Sequence, residues 1–464
     1  MRYISTRGAA PPAGFLDVVL EGLAPDGGLY IPEAWPELTP DELKAYGRMD
    51  YAAVAADVLG RFAGDEIDKA TLRHMAEDAY ACFTHTAVAT LKQLERGLWL
   101  LELFHGPTLA FKDVAMQLLA RLYYHALGRR GRTATILVAT SGDTGGAAVE
   151  AFRGRSNIRL VVLYPHGRIS EVQRLFITTP EEDNVHVIAI DGVFDDCQAI
   201  VKSLFQDQGL HNAGLSGVNS INWSRVVGQT VYFFTSAVAL GAPHRKVAYA
   251  VPTGNFGDAF AGYVAHRMGL PIERLIVATN ANDIMSRMVE TGRYARSPVV
   301  ATQSPAMDIA AASNFERLYF EGVQHEGTET ARAMRAFADT GVIDVPPSAM
   351  GMIKGLFRGA GVDEAATART MLSTLHSSGE LVDPHTAVGI AAARRVGQVN
   401  PETPLVVLST AHPAKFPETV KAATGVDPVL PPQVLALKNK RERIQRLPAD
   451  LDAVKSVVRE VMGV

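Results

Sequence analysis

The sequence predicts an α/β protein with doubly wound parallel sheets, and three observations support this fold class. First, short runs of Val, Ile, Leu and Ala are each followed by a segment with helical periodicity. Near-continuous apolar runs are typical of parallel strands covered on both faces. Second, several runs end in glycine-containing turns, where open parallel sheets place their ligands. Third, the length of 464 residues is enough for two or three domains.

The predicted strands begin at residue 98 and alternate with helices from there on. They cover residues 98–104, 133–139, 160–164, 186–190, 246–251, 275–279 and 405–408. Residues 1–95 are instead predicted to be mainly helical, with helices at residues 15–23, 41–46, 51–62 and 72–84. The basic cluster at residues 438–443 favours the solvated face of a terminal helix over a binding patch.

Composition excludes several classes of partner. The net charge of -4 provides no field that attracts nucleic acid or an anionic membrane. No apolar stretch reaches the roughly 18 residues that a membrane span requires. Cys82 and Cys197 are too few for a disulfide framework or a zinc ribbon, so we expect no metal and a reducing cytoplasm. The amino terminus has no apolar core of a secretory signal.

Lys112 lies at the most informative junction of the chain. It follows a predicted strand that breaks at Gly106 and Pro107, and it precedes a helix that begins near Asp113. Its apolar neighbours favour a neutral, nucleophilic amine that can form a Schiff base with an aldehyde. A lysine at a helix start can also keep its ammonium group in water. This stretch alone leaves both a reactive and a solvated lysine open.

Two glycine turns between a strand and a helix are candidate anion sites. At residues 139–146, the backbone N–H groups and the hydroxyls of Ser141 and Thr144 are expected to face an anion, although the same residues also make an ordinary turn and N-cap. At residues 252–258, two glycines allow a close approach of the backbone, and the amides suit a phosphate. This turn lacks the lysine of a P-loop, so the motif does not identify the phosphate.

Two further segments add polar groups. Residues 219–225 combine amides and hydroxyls with Arg225, whose guanidinium suits a second phosphate, although the segment can also be a polar helix cap. Thr410 follows the strongest predicted strand, where a hydroxyl is well placed to meet a ring nitrogen. His385 precedes a helix of small residues, and His412 follows Thr410 by two positions. Lone histidines in such places are more often structural.

Together these segments resemble the threonine synthase family, pyridoxal-phosphate enzymes of fold type II, a group that includes tryptophan synthase β and serine dehydratases. The resemblance runs nearly end to end, in order. The matching segments are residues 5–8, 22–30, the Lys112 segment, 141–145, 219–225, 254–258, 314–317, 383–387 and 409–415.

The resemblance implies a role for each candidate residue. Lys112 would be the catalytic residue and would bind pyridoxal 5′-phosphate covalently. Asp143 would lie near the cofactor's 3-oxygen, where related enzymes often carry asparagine, and Thr410 would face the pyridine nitrogen. The cofactor phosphate would be bound by the amides of Gly254, Asn255, Phe256, Gly257 and Asp258. The substrate carboxylate would be bound by Ser141, Gly142 and Thr144, and the substrate phosphate by Asn219, Ser220 and Arg225.

The implied reaction converts O-phospho-L-homoserine and water into L-threonine and phosphate, the last step of threonine biosynthesis, by γ-elimination and β-hydration. The alternatives are a threonine-synthase-like phospholyase that releases a keto acid, another fold-type II lyase or dehydratase, and a nucleotide-binding regulatory protein. The second phosphate site argues against a simple dehydratase.

The resemblance also implies a domain organisation: two doubly wound parallel-sheet domains of fold type II plus a mainly helical N-terminal segment. We expect an N-terminal domain at residues 1–95, a large α/β domain at 96–112 and 216–430, a small α/β domain at 113–215 and a C-terminal helical segment at 431–464. We expect a cytoplasmic monomer or homodimer that acts on a small molecule, with no nucleic-acid or membrane partner.

Overall fold

Strands and helices alternate along most of the chain, as the apolar runs predict. A computed structural model describes residues 1–398 and 400–464. Within them the strands are β1 (Tyr3–Ser5), β2 (Tyr30–Pro32), β3 (Thr90–Glu95), β4 (Leu98–Glu102), β5 (Ala134–Ala139), β6 (Ile158–Pro165), β7 (Val185–Asp191), β8 (Leu215–Ser216), β9 (Val247–Pro252), β10 (Ile272–Thr279), β11 (Arg293–Ala295), β12 (Val342–Asp344), β13 (Phe357–Gly361), β14 (Leu405–Ser409) and β15 (Gln445–Pro448).

The helices cover both faces of the sheets and form the N-terminal region. They are α1 (Phe15–Glu21), α2 (Pro40–Tyr46), α3 (Tyr51–Ala63), α4 (Lys69–Tyr80), α5 (Lys112–Arg129), α6 (Asp143–Phe152), α7 (Glu171–Thr178), α8 (Phe194–Phe205), α9 (Gln208–Asn212), α10 (Trp223–Ala239), α11 (Gly257–Arg267), α12 (Ile284–Thr291), α13 (Phe315–Gly322), α14 (Gly327–Thr340), α15 (Pro347–Leu356), α16 (Glu364–Ser378), α17 (Pro384–Val396), α18 (Pro417–Thr424), α19 (Pro432–Leu437) and α20 (Leu451–Met462). None of these described helices has the length and apolarity that crossing a membrane demands.

Two sheets carry most of the strands. The larger has the order β13-β10-β9-β14-β4-β3, in which the edge strand β3 runs antiparallel to β4 and the other neighbours are parallel. The smaller has the order β15-β7-β6-β5-β8 and is parallel throughout. The predicted fold class is confirmed, and every predicted strand is present with slightly different ends.

The sheets also contain strands that the sequence did not reveal: β3, β8, β13 and β15. In β13 the strand signal is weakened by Gly359 and Gly361, because glycine has no side chain to pack on a pleated surface. Gly359 is needed there, since a Cβ at this position would lie 2.2 Å from the carbonyl oxygen of Ser286.

The prediction for the basic cluster at residues 438–443 was wrong. These residues lie between α19 and β15 rather than on a helix. The backbone N–H of Arg443 donates to the carbonyl oxygen of Thr178 at 2.7 Å, which leads the extended chain alongside β7. The C-terminal segment, predicted to be helical, therefore contributes the edge strand β15 to the smaller sheet.

The N-terminal region is attached to helix α13 by buried and partly buried polar contacts. The hydroxyl of Thr6 donates to Glu316 at 2.7 Å, and Arg7 forms an ion pair with the same carboxylate at 3.0 Å. The buried Arg317 donates from Nε to the carbonyl oxygen of Tyr30 at 2.9 Å. Because Glu316 and Arg317 both lie on α13, this helix holds the start of the chain in place.

Helices α5 and α10 approach each other closely at a glycine. A Cβ on Gly228 of α10 would lie 3.1 Å from the Cα of Ala115 on α5. Helices come this near only where small residues face each other, and the spacing fixes how the start of α5 sits against α10.

We predict that Gly228→Leu lowers the thermal unfolding midpoint, because overpacking a tight interface costs about 1–3 kcal/mol. Gly351→Leu is the matched control, since a Cβ on Gly351 of helix α15 meets no atom within 4 Å. Differential scanning calorimetry of both variants checks this. Equal midpoints for the two variants would contradict the close packing of α5 on α10.

Candidate active site

The loop between β4 and α5 is fixed against the chain that follows β14. The backbone N–H of Phe111 donates to the carbonyl oxygen of Thr410 at 2.8 Å, and that of His412 donates to Leu109 at 3.0 Å. Strands β4 and β14 are parallel neighbours, so both segments leave the same edge of the larger sheet. The structure thus brings Thr410 close to Lys112.

The amine of Lys112 is largely buried. Its Nζ is 3.5 Å from Oδ2 of Asp143, and the side chain is only 12% exposed. Burial lowers the pKa of Lys112; Asp143 opposes this shift, while Lys415 and Arg225 add to it. A lowered pKa increases the population of the neutral, nucleophilic amine. The structure therefore favours a reactive lysine over a solvated one.

Lys415 is a second buried lysine, and no local pattern in the sequence indicates its role. Its Nζ is 2.8 Å from Oδ1 of Asp143 and donates to the carbonyl oxygen of Thr108 at 2.7 Å. Gln173 donates to the same Oδ1 at 2.9 Å. Although burial alone would raise the pKa of Asp143, Lys415 and Lys112 hold it well below its usual range. Asp143 is therefore an ionised carboxylate between two lysines.

The turn before α6 differs in part from the prediction. The backbone N–H groups of Gly142 and Gly145 donate to the hydroxyl of Thr140 at 2.9 and 2.8 Å. The expectation that all amides of this turn face an anion was wrong, because a threonine inside the turn takes two of them. Helix α6 begins at Asp143, so the backbone N–H groups of Asp143 and Thr144 lie in its first turn, where they have no partner within the helix. The partly exposed Ser141 lies just before this turn.

The turn before α11 presents its backbone at close range. Phe256 has a φ of 62°, and a Cβ on Gly254 would lie 2.7 Å from the carbonyl oxygen of Ala306. Helix α11 then begins at Gly257, so the amides of Gly257 and Asp258 form its positive end. The turn therefore has the close backbone approach and the helix start that the sequence predicts, while its binding of a phosphate stays a prediction.

The carboxyl group of Asp258 is buried and protonates readily. Burial raises its pKa to about 7, and the hydroxyl of Tyr232, which donates to one carboxyl oxygen, opposes that rise. The other oxygen, Oδ2, has no hydrogen-bond partner in the described part of the chain. A carboxyl group with this pKa repels a nearby anion less than an ordinary aspartate does.

Arg225 is a buried cation without a carboxylate partner among the described residues. It is 3% exposed, and its Nη1 donates to the carbonyl oxygen of Val218 at 3.1 Å. Its Nε and the hydroxyl of Ser224 have no partner in the described ranges. Burial lowers the pKa of Arg225 to about 10. An unsatisfied buried guanidinium is suited to binding an anion.

Asn314 connects two of the predicted anion sites. Its Nδ2 donates to the carbonyl oxygens of Ser220 and Asn255, each at 3.1 Å, and its backbone N–H also donates to Asn255. Its Oδ1 accepts from Arg317. The segment containing Ser220 and exposed Asn219 is thus tied to the turn before α11. The sequence suggested Asn314 only as part of a matching segment, without a role.

His385 has a structural role, as its type and position suggested. Its Nδ1 is 2.7 Å from Oδ2 of Asp383, and its Nε2 accepts from the backbone N–H of Ala306 at 3.2 Å. This contact fixes the loop whose carbonyl oxygen faces Gly254. His385 therefore supports the turn before α11 through the loop that contains Ala306.

The balance of charge indicates what the site binds. Lys112 and Lys415 both contact the low-pKa carboxylate of Asp143, while the positive charge of Arg225 lowers the pKa of Lys112 and has no carboxylate partner among the described residues. Burying unpaired cations is costly, so a ligand that carries negative charge stabilises them. A phosphorylated aldehyde cofactor and an anionic substrate fit a nucleophilic lysine, a glycine turn at a helix start and a second buried cation.

Comparisons with known proteins agree with this geometry. A family model described as "Pyridoxal-phosphate dependent enzyme" matches residues 83–359, and models described as "Threonine synthase N terminus" and "Threonine synthase, C-terminal" match residues 2–80 and 386–458. A threonine synthase of Pseudomonas aeruginosa is 48% identical over 99% of this chain and 98% of its own length. The chain belongs to the threonine synthase family.

Solved structures of threonine synthases have the same fold. A PLP-bound threonine synthase of Brucella melitensis is 49% identical, covers all of both chains and superposes with a TM-score of 0.97. The yeast threonine synthase is 35% identical, covers 100% of this chain and 99% of its own, and has a TM-score of 0.95. The predicted family, enzyme class and pyridoxal-phosphate cofactor are confirmed, while the role of each site residue stays a prediction.

We predict that Asn314→Ala lowers the unfolding midpoint, because it removes buried hydrogen bonds to Ser220 and Asn255 that are each worth about 0.5–1.5 kcal/mol. The control is Asn212→Ala, at the exposed end of α9. Thermal melts followed by circular dichroism measure both. If Asn314→Ala has the same unfolding midpoint as Asn212→Ala, Asn314 does not connect the two segments.

Proposed function

We propose that the chain converts O-phospho-L-homoserine and water into L-threonine and inorganic phosphate. The proposal is supported by a buried lysine with a lowered pKa, by the helix start at the glycine turn before α11, and by the buried Arg225, whose Nε has no partner in the described residues. Two anion sites suit a phosphorylated cofactor and a phosphorylated substrate together. The relatives named threonine synthase support the same substrate.

Lys112 is proposed to bind the cofactor aldehyde and then to move protons. When bound, pyridoxal 5′-phosphate supplies a conjugated ring that absorbs the electrons left when the substrate loses its α-proton. The neutral Nζ of Lys112, once released by the incoming amine, accepts that α-proton. The carboxylate of Asp143, 3.5 Å away, stabilises the ammonium that results.

The turn before α11 is proposed to bind the cofactor phosphate. The amides of Gly254, Asn255, Phe256, Gly257 and Asp258 are the donors in this proposal. Helix α11 places its positive end at the turn, and His385 and Asn314 hold the turn from two sides. The hydroxyl of Thr410 is proposed to meet the pyridine nitrogen, which is consistent with the backbone contact that holds it beside Phe111.

The substrate is proposed to lie between the two remaining sites. Ser141 and Thr144 offer hydroxyls and a helix start to the α-carboxylate; Gly142 shapes the turn with its φ of 124° and contributes no amide. Arg225, with Asn219 and Ser220, binds the phosphate at the γ-carbon. Phosphate leaves from that carbon, and water adds at the β-carbon to give the hydroxyl of threonine.

We infer that the protein acts on this small molecule in the cytoplasm, as a monomer or homodimer. Cys82 is exposed and Cys197 is buried, and both are free thiols, which suits a reducing compartment. We also retain the domain division given above as a proposal. It is supported by the smaller sheet, whose strands β5 to β8 fall at residues 134–216, although β15 joins it from the end of the chain.

We predict that Lys112→Ala abolishes turnover and removes the visible absorption band of the holoenzyme, because no other amine replaces it. The control is Lys202→Ala on the exposed face of α8. Spectra and borohydride trapping followed by peptide mapping make the measurement. Trapping of the cofactor on Lys415 instead of Lys112 would overturn the assignment.

We predict that Arg225→Gln raises KM for O-phospho-L-homoserine by roughly 10- to 150-fold, the equivalent of about 1.5–3 kcal/mol for hydrogen bonds to a charged group. Arg159→Gln, exposed on β6, is the control. Phosphate and threonine are quantified together. An unchanged KM would contradict the role of Arg225, and phosphate released with 2-oxobutyrate in place of threonine would identify a phospholyase.

A further inference from the structure

Lys415 is buried more completely than Lys112 and lies in the short turn Pro413–Lys415 after β14. It is 1% exposed, and its Nζ contacts Asp143 at 2.8 Å and the carbonyl oxygen of Thr108 at 2.7 Å. Its ammonium also lies 5.8 Å from the ring centre of Phe176. Burying a charged lysine this deeply costs free energy unless its ammonium group is paired and hydrogen-bonded.

The two oxygens of Asp143 are divided between the two lysines. Oδ1 is occupied by Lys415 at 2.8 Å and by Gln173 at 2.9 Å, whereas Oδ2 lies 3.5 Å from Lys112. The tighter ion pair is therefore with Lys415. Lys112 is left with the looser contact, which suits an amine that must change partners.

We propose that Lys415 is a positioning residue that neutralises Asp143, so that the amine of Lys112 is available to an aldehyde as a neutral nucleophile. The inference rests on the proposed role of Lys112. Lys415 and Asp143 together carry no net charge, so Asp143 can lie beside Lys112 without holding its amine protonated.

The electrostatic consequence has a definite sign. Lys112 also faces Arg225, and Lys415 also faces the buried carboxyl group of Asp113; both groups are kept in every variant below. Removal of Lys415 leaves Lys112 as the main cation near the buried Asp143 carboxylate. An uncompensated negative charge favours the protonated form of the nitrogen on Lys112, both as a free amine and when it is linked to the cofactor. Removal of Asp143 while Lys415 remains has the opposite effect.

The test is a pH titration of the visible absorption band of the full-length holoenzyme. It compares the wild type with Lys415→Gln, Lys415→Arg, Asp143→Asn and the double variant Lys415→Gln/Asp143→Asn. We expect Lys415→Gln to raise the midpoint by about one pH unit, a tenfold change in proton affinity. Lys415→Arg keeps the wild-type midpoint, because it keeps the charge. Thermal melts check that each variant is folded.

The double variant keeps the test decisive if Lys415→Gln does not fold. It buries neither charge, so it avoids the unpaired carboxylate that destabilises the single variant. Asp143→Asn, which retains Lys415, is expected to titrate at a lower pH than the double variant. Equal midpoints for these two variants would overturn the proposal.

The possible failures are distinguishable. A wild-type band that depends on Lys112, combined with an unchanged midpoint in Lys415→Gln and a raised KM for the phosphorylated substrate, would make Lys415 a substrate ligand and overturn this inference alone. A wild-type holoenzyme without a band that depends on Lys112 would overturn the proposed function, and this inference with it.

Discussion

The ionised carboxylate of Asp143, held between Lys112 and Lys415, is the interaction on which the site depends. It offsets part of the positive charge of the two buried lysines, while the buried Arg225, whose charge lowers the pKa of Lys112, has no carboxylate partner among the described residues. Burial alone disfavours every one of these charges. The arrangement is stable only because each charge has a partner in the protein or in a ligand, so anion binding follows from the same balance that makes the lysine reactive.

The scaffold places these groups through backbone contacts rather than through the reactive side chains themselves. Parallel pairing of β4 with β14 brings the two loops to one edge of the larger sheet, and the bond from Phe111 to Thr410 keeps them in register. Asn314 and His385 then hold the turn before α11 from two sides. Asn314 and His385 have none of the roles proposed for catalysis, so these two side chains support the turn without taking part in the chemistry.

The parts that the sequence predicted are those with a local signal. Buried parallel strands are read from apolar runs, and Lys112 is marked by a turn and a helix start on either side of it. Lys415 and Asn314 have no such signal, because their roles depend on partners that are distant in the sequence. The partner of Lys415 is about 270 residues away, and those of Asn314 are about 60 and 95 residues away. Strand β13 has a weak sequence signal because its glycines allow close packing against Ser286. The helix predicted near residue 440 does not form; instead, the chain there extends into β15, which pairs with β7.

In the proposed reaction, phosphate leaves from the γ-carbon of the substrate and water is added at the β-carbon. The most direct measurement is turnover of O-phospho-L-homoserine in water enriched in heavy oxygen, followed by mass spectrometry of both products. We predict labelled oxygen in the hydroxyl of L-threonine and unlabelled phosphate. Labelled phosphate accompanied by homoserine would show that the phosphorus–oxygen bond is cleaved by simple hydrolysis and would rule out the proposed reaction.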